Sequence, residues 1–356
     1  MWYVWALPLL MVLHCRSTLH SSGWCRKGCD CHGEFKLMNC SDTLLTHIPT
    51  NIPPFTEHLD LSLNQLGLVP ARAFQALLRL RVLLLNDNNI SSVAVGAFSP
   101  LESLQRLDLS RNSISYLTKG FFLGLGSLKE LQLSENRLTH LDSGNFQHLD
   151  SLQRLNLSSN KISSIQVRAF CCMTVLRNLY LEDNQLRCLS NGVFSTLRSL
   201  EVLYLQQNNI SSTEPGVFTP LTSLALLNLA NNCLSFIPFK TFLSIHTPGT
   251  HILLADNPWH CHCDLQRVFR KVRSVQRLFL DDYYNLSCRE PPELQGYQLM
   301  EVDAELCIAE TVTVLIITVT VVITVVAAIV MAEKSRKKRT GKQWCEDNHV
   351  TYNYQS

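Results

Sequence analysis

LQRLDLSRNSI (104–114) and LQRLNLSSNKI (152–162) carry the same frame of leucines closed by one asparagine, and that frame returns along most of the chain. The asparagine recurs every 24 residues as Asn64, Asn88, Asn112, Asn136, Asn160, Asn184, Asn208 and Asn232, and closes one residue late at Asn257. Eight phenylalanines keep the same period, at Phe74, Phe98, Phe122, Phe146, Phe170, Phe194, Phe218 and Phe242. Self-similarity at such a period marks a stacked array, in which no unit buries its apolar face alone and each completes its core against its neighbours.

Each unit reads L-x-x-L-x-L-x-x-N-x-L, the leucine-rich repeat signature. Within it the L-x-L pair alternates as a short strand does, so Leu107 and Leu109 point into the solenoid while Asp108 points to solvent. The asparagine stands where the chain turns inward, and its amide has the donors and acceptor to satisfy backbone groups there. The phenylalanines fall on the opposite, convex side, where successive rings can form a spine. Nine units are expected, with strands near Leu59, Leu83, Leu107, Leu131, Leu155, Leu179, Leu203, Leu227 and Ile252. At the usual strand spacing these make a concave parallel sheet of roughly 40 Å. The ninth is irregular, with Gly249 at its first leucine position.

Of 14 cysteines, Cys25, Cys29, Cys31 and Cys40 precede the first repeat, and Cys261, Cys263, Cys288 and Cys307 follow the last. They read as lids over the exposed ends of the array. With these clusters the chain resembles the extracellular leucine-rich-repeat superfamily, which includes Slit, the Nogo receptor and the ectodomains of Toll-like receptors. The resemblance runs from Cys25 through Cys307, and its most specific element is Asn257-Pro258-Trp259-His260-Cys261-His262-Cys263 with Cys288, Pro291, Leu294, Gly296 and Leu299. It implies the pairs Cys25–Cys31, Cys29–Cys40, Cys261–Cys288 and Cys263–Cys307, a connectivity that spacing alone does not decide. His260, Cys261, His262 and Cys263 also have an alternative reading as zinc ligands; the cap motif and an oxidising compartment explain the cysteines better, so no metal or cofactor is expected. Cys171, Cys172 and Cys188 fall in adjacent turns and read either as one further disulfide or as buried thiols, and Cys233 is open in the same way.

Trp2 to Leu13 is a short apolar stretch followed by small and polar residues, the pattern of a secretory signal. Thr311 to Ala332 holds 22 residues without a formal charge, enough helix for about 33 Å. Lys334, Arg336, Lys337, Lys338, Arg339 and Lys342 follow at once. Basic flanks stay in the cytoplasm, which predicts a single-pass type I plasma-membrane protein with the repeats outside. The cluster suits anionic membrane lipid rather than nucleic acid. Five N-x-S/T sequons, at Asn39, Asn89, Asn156, Asn209 and Asn285, lie on the outer side by this topology. The chain thus divides into a signal peptide (1–23), an N-terminal cap (24–54), about nine repeats (55–256), a C-terminal cap (257–308), a transmembrane helix (309–332) and a short basic tail (333–356). The predicted fold is an α/β leucine-rich-repeat solenoid with a curved parallel β-sheet on the concave face, disulfide caps at both ends and one transmembrane helix.

Outward strand residues have no core duty and form the default recognition surface of a solenoid. At the central position the column reads Asp60, Leu84, Asp108, Gln132, Asn156, Tyr180, Tyr204, Asn228 and Leu253. Tyr180 and Tyr204, with Val202 and Leu226 beside them, make an amphipathic patch suited to a protein partner, although neighbouring tyrosines also simply stack. Arg106, Asp108, Arg111, Glu130, Glu135 and Arg154 form a mixed-charge region that reads as a solvated face. Asp281, Asp282, Tyr283 and Tyr284 have the composition of a tyrosine-sulfation segment. Thr320, Thr324, Ala328 and Ala332 recur every fourth residue and offer a small-residue helix-packing face.

No catalytic constellation is present in the sequence: Gly124-Leu125-Gly126 lacks the third glycine of a dinucleotide loop, no serine stands in G-x-S-x-G, and no H-E-x-x-H pair occurs. The 24-residue tail is too short for a signalling domain of the Toll-like receptor kind, though Tyr352, Tyr354 and Cys345 are modifiable residue types. Two function classes follow. One is an adhesion molecule or co-receptor that binds an extracellular protein through the concave face. The other is an auxiliary subunit of an ion channel or receptor complex acting through the helix and its basic flank, a layout similar to auxiliary subunits of large-conductance potassium channels.

Overall fold

The structure, a computed structural model, describes residues 25, 28–34, 36–302 and 306–350, with backbone alone at 306–311 and 339–350. The signal-peptide reading, Tyr352 and Tyr354 lie outside the described residues, as do the side chains of Cys307, Arg339, Lys342 and Cys345.

Twelve strands form one sheet. Nine of them are the repeat strands, from His58–Asp60 through Arg106–Asp108 and Asn178–Tyr180 to Thr250–Leu253, each parallel to the next. The register is strict: Leu59 faces Leu83, Leu107 faces Leu131, Leu155 faces Leu179 and Leu227 faces Ile252. These inward leucines are buried while their strand neighbours stay half-exposed or exposed, so the two-residue alternation sorts core from surface.

The other three strands belong to the caps. Leu37–Asn39 pairs parallel to His58–Asp60 and antiparallel to Asp30–His32, and Leu278–Leu280 pairs parallel to Thr250–Leu253. A lid made only of cross-links would leave the backbone donors of the end strands exposed; a capping strand satisfies them. The sequence shows the cysteines of the lids but not these strands, because one isolated rung has no period to announce it. The structure joins Cys25 to Cys31, Cys29 to Cys40 and Cys261 to Cys288. Cys263 is also disulfide-bonded.

The asparagine column stitches each turn to the one before. Asn160 Nδ2 donates to the carbonyls of Leu133 (3.0 Å), Leu157 (3.2 Å) and Ser158 (3.1 Å), while its Oδ1 accepts the N–H of Leu138 at 3.0 Å. Asn64 and Asn257 repeat the pattern at either end. The residue before each asparagine is left-handed without being glycine, as at Asp87 (φ 53°), Arg111 (51°), Ser159 (52°) and Gln207 (56°). Multiple bonds from one amide hold that turn in a conformation the side chains alone disfavour.

On the convex side the phenylalanines are buried and mostly stacked, Phe74 on Phe98 at 6.1 Å, Phe122 on Phe146 and Phe146 on Phe170 at 5.9 Å. Phe121 interposes between Phe98 (6.2 Å) and Phe122 (4.7 Å). Gly124 lies beneath, with φ +91° and a backbone so near Ser99 that a Cβ would stand 2.3 Å from the Ser99 carbonyl oxygen. Its glycine is a packing requirement of the array. The spine continues into the C-terminal cap, where Phe242 meets Phe269 at 6.4 Å and Phe269 meets the buried Trp259 edge-on at 5.4 Å.

One helix, Leu306–Val350, follows the cap. Its Val312–Lys338 portion is long and apolar enough to cross a membrane, and none of it is buried against the protein.

Candidate recognition surface

Tyr180 and Tyr204 close adjacent strands and face one another in register. Their rings stack at 5.4 Å with 17° between planes. Val202 and Leu226 are likewise register partners, two residues earlier along the strand, and all four side chains are half-buried. Because the strands are fixed by the leucine core beneath, the patch is held without cost to any flexible segment.

The structure extends this patch in a direction the sequence did not reveal. Leu226 faces His251 and His251 faces Phe279 on the cap strand, so Val202, Leu226, His251 and Phe279 form one row across four strands. The His251 and Phe279 rings stack at 5.2 Å, and His251 Nδ1 lies 2.9 Å from Asp281 Oδ2. Phe279 is 47% exposed, a large apolar side chain kept at the surface. It escaped sequence reading because its strand did.

A second feature lies two residues beyond the tyrosines. Elsewhere in the central column, Asp60, Asp108, Asn156 and Asn228 accept the N–H of the residue two ahead, at 2.9 to 3.0 Å. Tyrosine has no oxygen in reach for that service. At these two turns the residues two ahead are Glu182 and Gln206, where other turns carry Ser62, Asn86, Ser110, Ser134, Ser158 or Ala230. Glu182 Oε2 and Gln206 Oε1 are shielded from solvent and accept no hydrogen bond. Burial pushes the Glu182 carboxyl above the ordinary carboxylate range, opposed by its own backbone N–H and reinforced by the nearby Asp183.

The mixed-charge region resolves into exposed ladders. Arg111 reaches Asp87 at 3.3 Å and Glu135 at 3.0 Å, and Arg154 stands 3.7 Å from Glu130. Such solvated pairs contribute little. Asn156 opposes Tyr180 in register, so its sequon lies one strand from the tyrosine pair. The sequon residues Asn89, Asn209 and Asn285 are exposed, and Asn39 lies in the capping strand Leu37–Asn39. In the proposed sulfation segment Tyr283 is buried and packs on Phe269 at 6.2 Å, whereas Tyr284 is exposed. Cys171 and Cys172 hold their sulfurs 3.3 Å apart, in hydrogen-bond contact without a disulfide, and Cys188 and Cys233 are exposed thiols. None of the four is fully buried. With Cys261 tied to Cys288, the His260 to Cys263 tetrad does not offer that sulfur as a thiolate. On the apolar helix, Thr320 and Thr324 spend their hydroxyls on the carbonyls of Ile317 and Val321, both at 2.8 Å.

Comparison with known proteins agrees with the repeat architecture. The leucine rich repeat family model matches residues 78–138, 126–186 and 174–234. The chain carries leucine-rich repeats, and its capped solenoid is similar to those of extracellular leucine-rich-repeat proteins. Human leucine-rich repeat-containing protein 3B is 40% identical over 83 residues, 23% of this chain and 30% of that one. Leucine-rich repeat-containing G-protein coupled receptor 6 of Danio rerio is 34% identical over 82 residues, 20% of this chain and 8% of the receptor. The leucine-rich-repeat segment therefore spans less than a third of the length of these curated relatives. Human 5T4 (Wnt-activated inhibitory factor 1, trophoblast glycoprotein) superimposes with a TM-score of 0.60 and 26% identity over 80% of this chain and 99% of that one. The leucine-rich-repeat part of FLRT2, solved in an octameric complex with Latrophilin 3 and Unc5D, gives 0.64 at 24% identity over 78% and 97% and shares the leucine-rich-repeat fold.

Proposed function

We propose that this protein is a cell-surface recognition molecule, an adhesion protein or co-receptor, that binds an extracellular protein through the C-terminal half of its concave sheet. The carrying observation is the stacked Tyr180–Tyr204 pair, held by rigid strands beside Val202, Leu226 and Phe279 and given no core role. Aromatic anchors on a fixed frame are what dominate protein interfaces. The related extracellular repeat structures support the class, and FLRT2 in its complex is an instance of such a domain assembled with other proteins. In this reading the Val312–Lys338 helix anchors a type I protein, with the repeats outside and the basic residues at its C-terminal end against the inner lipid surface.

The auxiliary-subunit reading draws on the same helix. Thr320 and Thr324 satisfy their hydroxyls internally and share a face with Ala328 and Ala332, leaving small surfaces for a neighbouring helix. Replacing the span and tail by an unrelated single-pass anchor separates the two. Retained cell–cell binding supports recognition by the repeats; lost association with a membrane complex at unchanged surface display supports the helix. Within the first reading, Tyr180→Ala with Tyr204→Ala weakens ligand binding by about 2 kcal/mol or more, and unchanged affinity removes the patch.

A further inference from the structure

We infer that the tyrosine patch recognises a cationic side chain, arginine above lysine, presented by the extracellular protein partner, with Glu182 and Gln206 as its acceptors. The inference rests on the concave-face reading above and names the chemistry of the ligand.

Four observations converge on it. First, the strand-and-turn segments 178–183, 202–207, 226–231, 251–256 and 278–282 contain Glu182, Asp183, Asp256, Asp281 and Asp282 and not one lysine or arginine. The segments toward the other end, 106–111 and 154–159, carry Arg106, Arg111 and Arg154 on the same face. The patch is therefore the more acidic end, five acids with no lysine or arginine, whereas the other five repeat segments set Arg106, Arg111 and Arg154 against Asp60, Asp87, Asp108, Glu130 and Glu135. Second, Asp281 is paired with His251, and Asp282, in the cap, gives Oδ2 to the N–H groups of Leu254 and Ala255 while its Oδ1 has no donor. Glu182 is the acid beside the tyrosines whose second oxygen has no donor.

Third, Gln206 repeats this lack one turn further along, so two acceptors without donors stand in successive turns, each two residues beyond one of the stacked tyrosines. A planar guanidinium carries several N–H donors in one fork and a face that packs on aromatic rings, and it matches such a pair better than any neutral side chain. Fourth, the half-buried rings offer the ring surface that attracts cations. On docking, Glu182 and Gln206 turn their shielded oxygens toward the incoming donors and gain the hydrogen bonds they lack within the protein.

The test uses the full-length protein in nanodiscs as target for a phage-displayed library of random peptides. Selected peptides are then synthesised with their basic residue as arginine, as neutral citrulline and as glutamate. The inference expects a shared arginine or lysine, a loss of about tenfold or more on citrulline substitution, and a similar loss with Glu182→Gln. It also expects the reciprocal pair, Glu182→Lys with the glutamate peptide, to recover binding, which a merely misfolded variant would not do. Peptides that need Tyr180 and Tyr204 but tolerate citrulline overturn the cationic site and leave concave-face recognition standing. Peptides indifferent to Tyr180→Ala and Tyr204→Ala overturn both.

Discussion

Asn160 closes four hydrogen bonds with one side chain, three to carbonyls and one from the Leu138 N–H of the preceding turn. Asn160→Ala leaves that buried N–H without a partner and is expected to lower stability by about 2–4 kcal/mol, measured by chemical denaturation with two independent probes. Glu182 predicts the opposite sign. Its folded-state carboxyl titrates above its unfolded value, so the folded protein binds the proton more tightly, and stability present in acid is lost as pH rises through the raised value. Glu182→Gln, neutral at every pH, is therefore expected to stabilise the protein at neutral pH by roughly 0.5 kcal/mol, discounted for the part of the side chain still in water. That gain should vanish below the ordinary carboxylate range; a pH-independent difference would refute it. At this scale the asparagines were legible because they keep time. The missing donors at Glu182 and Gln206 were not, because letters in a column do not say which atoms water can reach.

Among the elements, Gly124 and Gly126 stand two residues apart and have opposite environments. A Cβ at Gly124 collides with the Ser99 backbone, whereas one at Gly126 meets nothing within 4 Å. Gly124→Ala should cost more than about 2 kcal/mol and reduce surface delivery, and Gly126→Ala should be nearly neutral; parallel thermal melts of the two variants check this. The C-terminal cap depends on Phe269, which joins the end of the phenylalanine spine to Trp259 and Tyr283. Phe269→Ala is expected to remove about 3–5 kcal/mol and to loosen the cap first, seen as faster hydrogen exchange across Leu278–Leu280 than across Arg154–Asn156. Repeat strands were readable from the L-x-L frame alone. Cap strands were not: Leu37–Asn39 and Leu278–Leu280 exist because a neighbouring edge needs pairing, and that need lies in the assembled sheet.

For the whole molecule, the 24-residue period specified a solenoid before any residue was given a role, and the twelve-strand sheet is that solenoid with three cap strands added. Orientation about the membrane is a matter of charge. Lys334, Arg336, Lys337 and Lys338 lie at the C-terminal end of the Val312–Lys338 segment, so an epitope ahead of the first repeat should be stained on intact cells and one after Val350 only after permeabilisation; the reverse pattern would invert the topology. The asparagine stitches reach only from one turn to the turn before it, and this gives the array a mechanical grain. If the proposed ligand is held at Tyr180 and the chain is anchored beyond Leu306, a pull between them loads only the turns that separate them. The N-terminal rungs stay slack, free to vary in number without altering the strength of the grip.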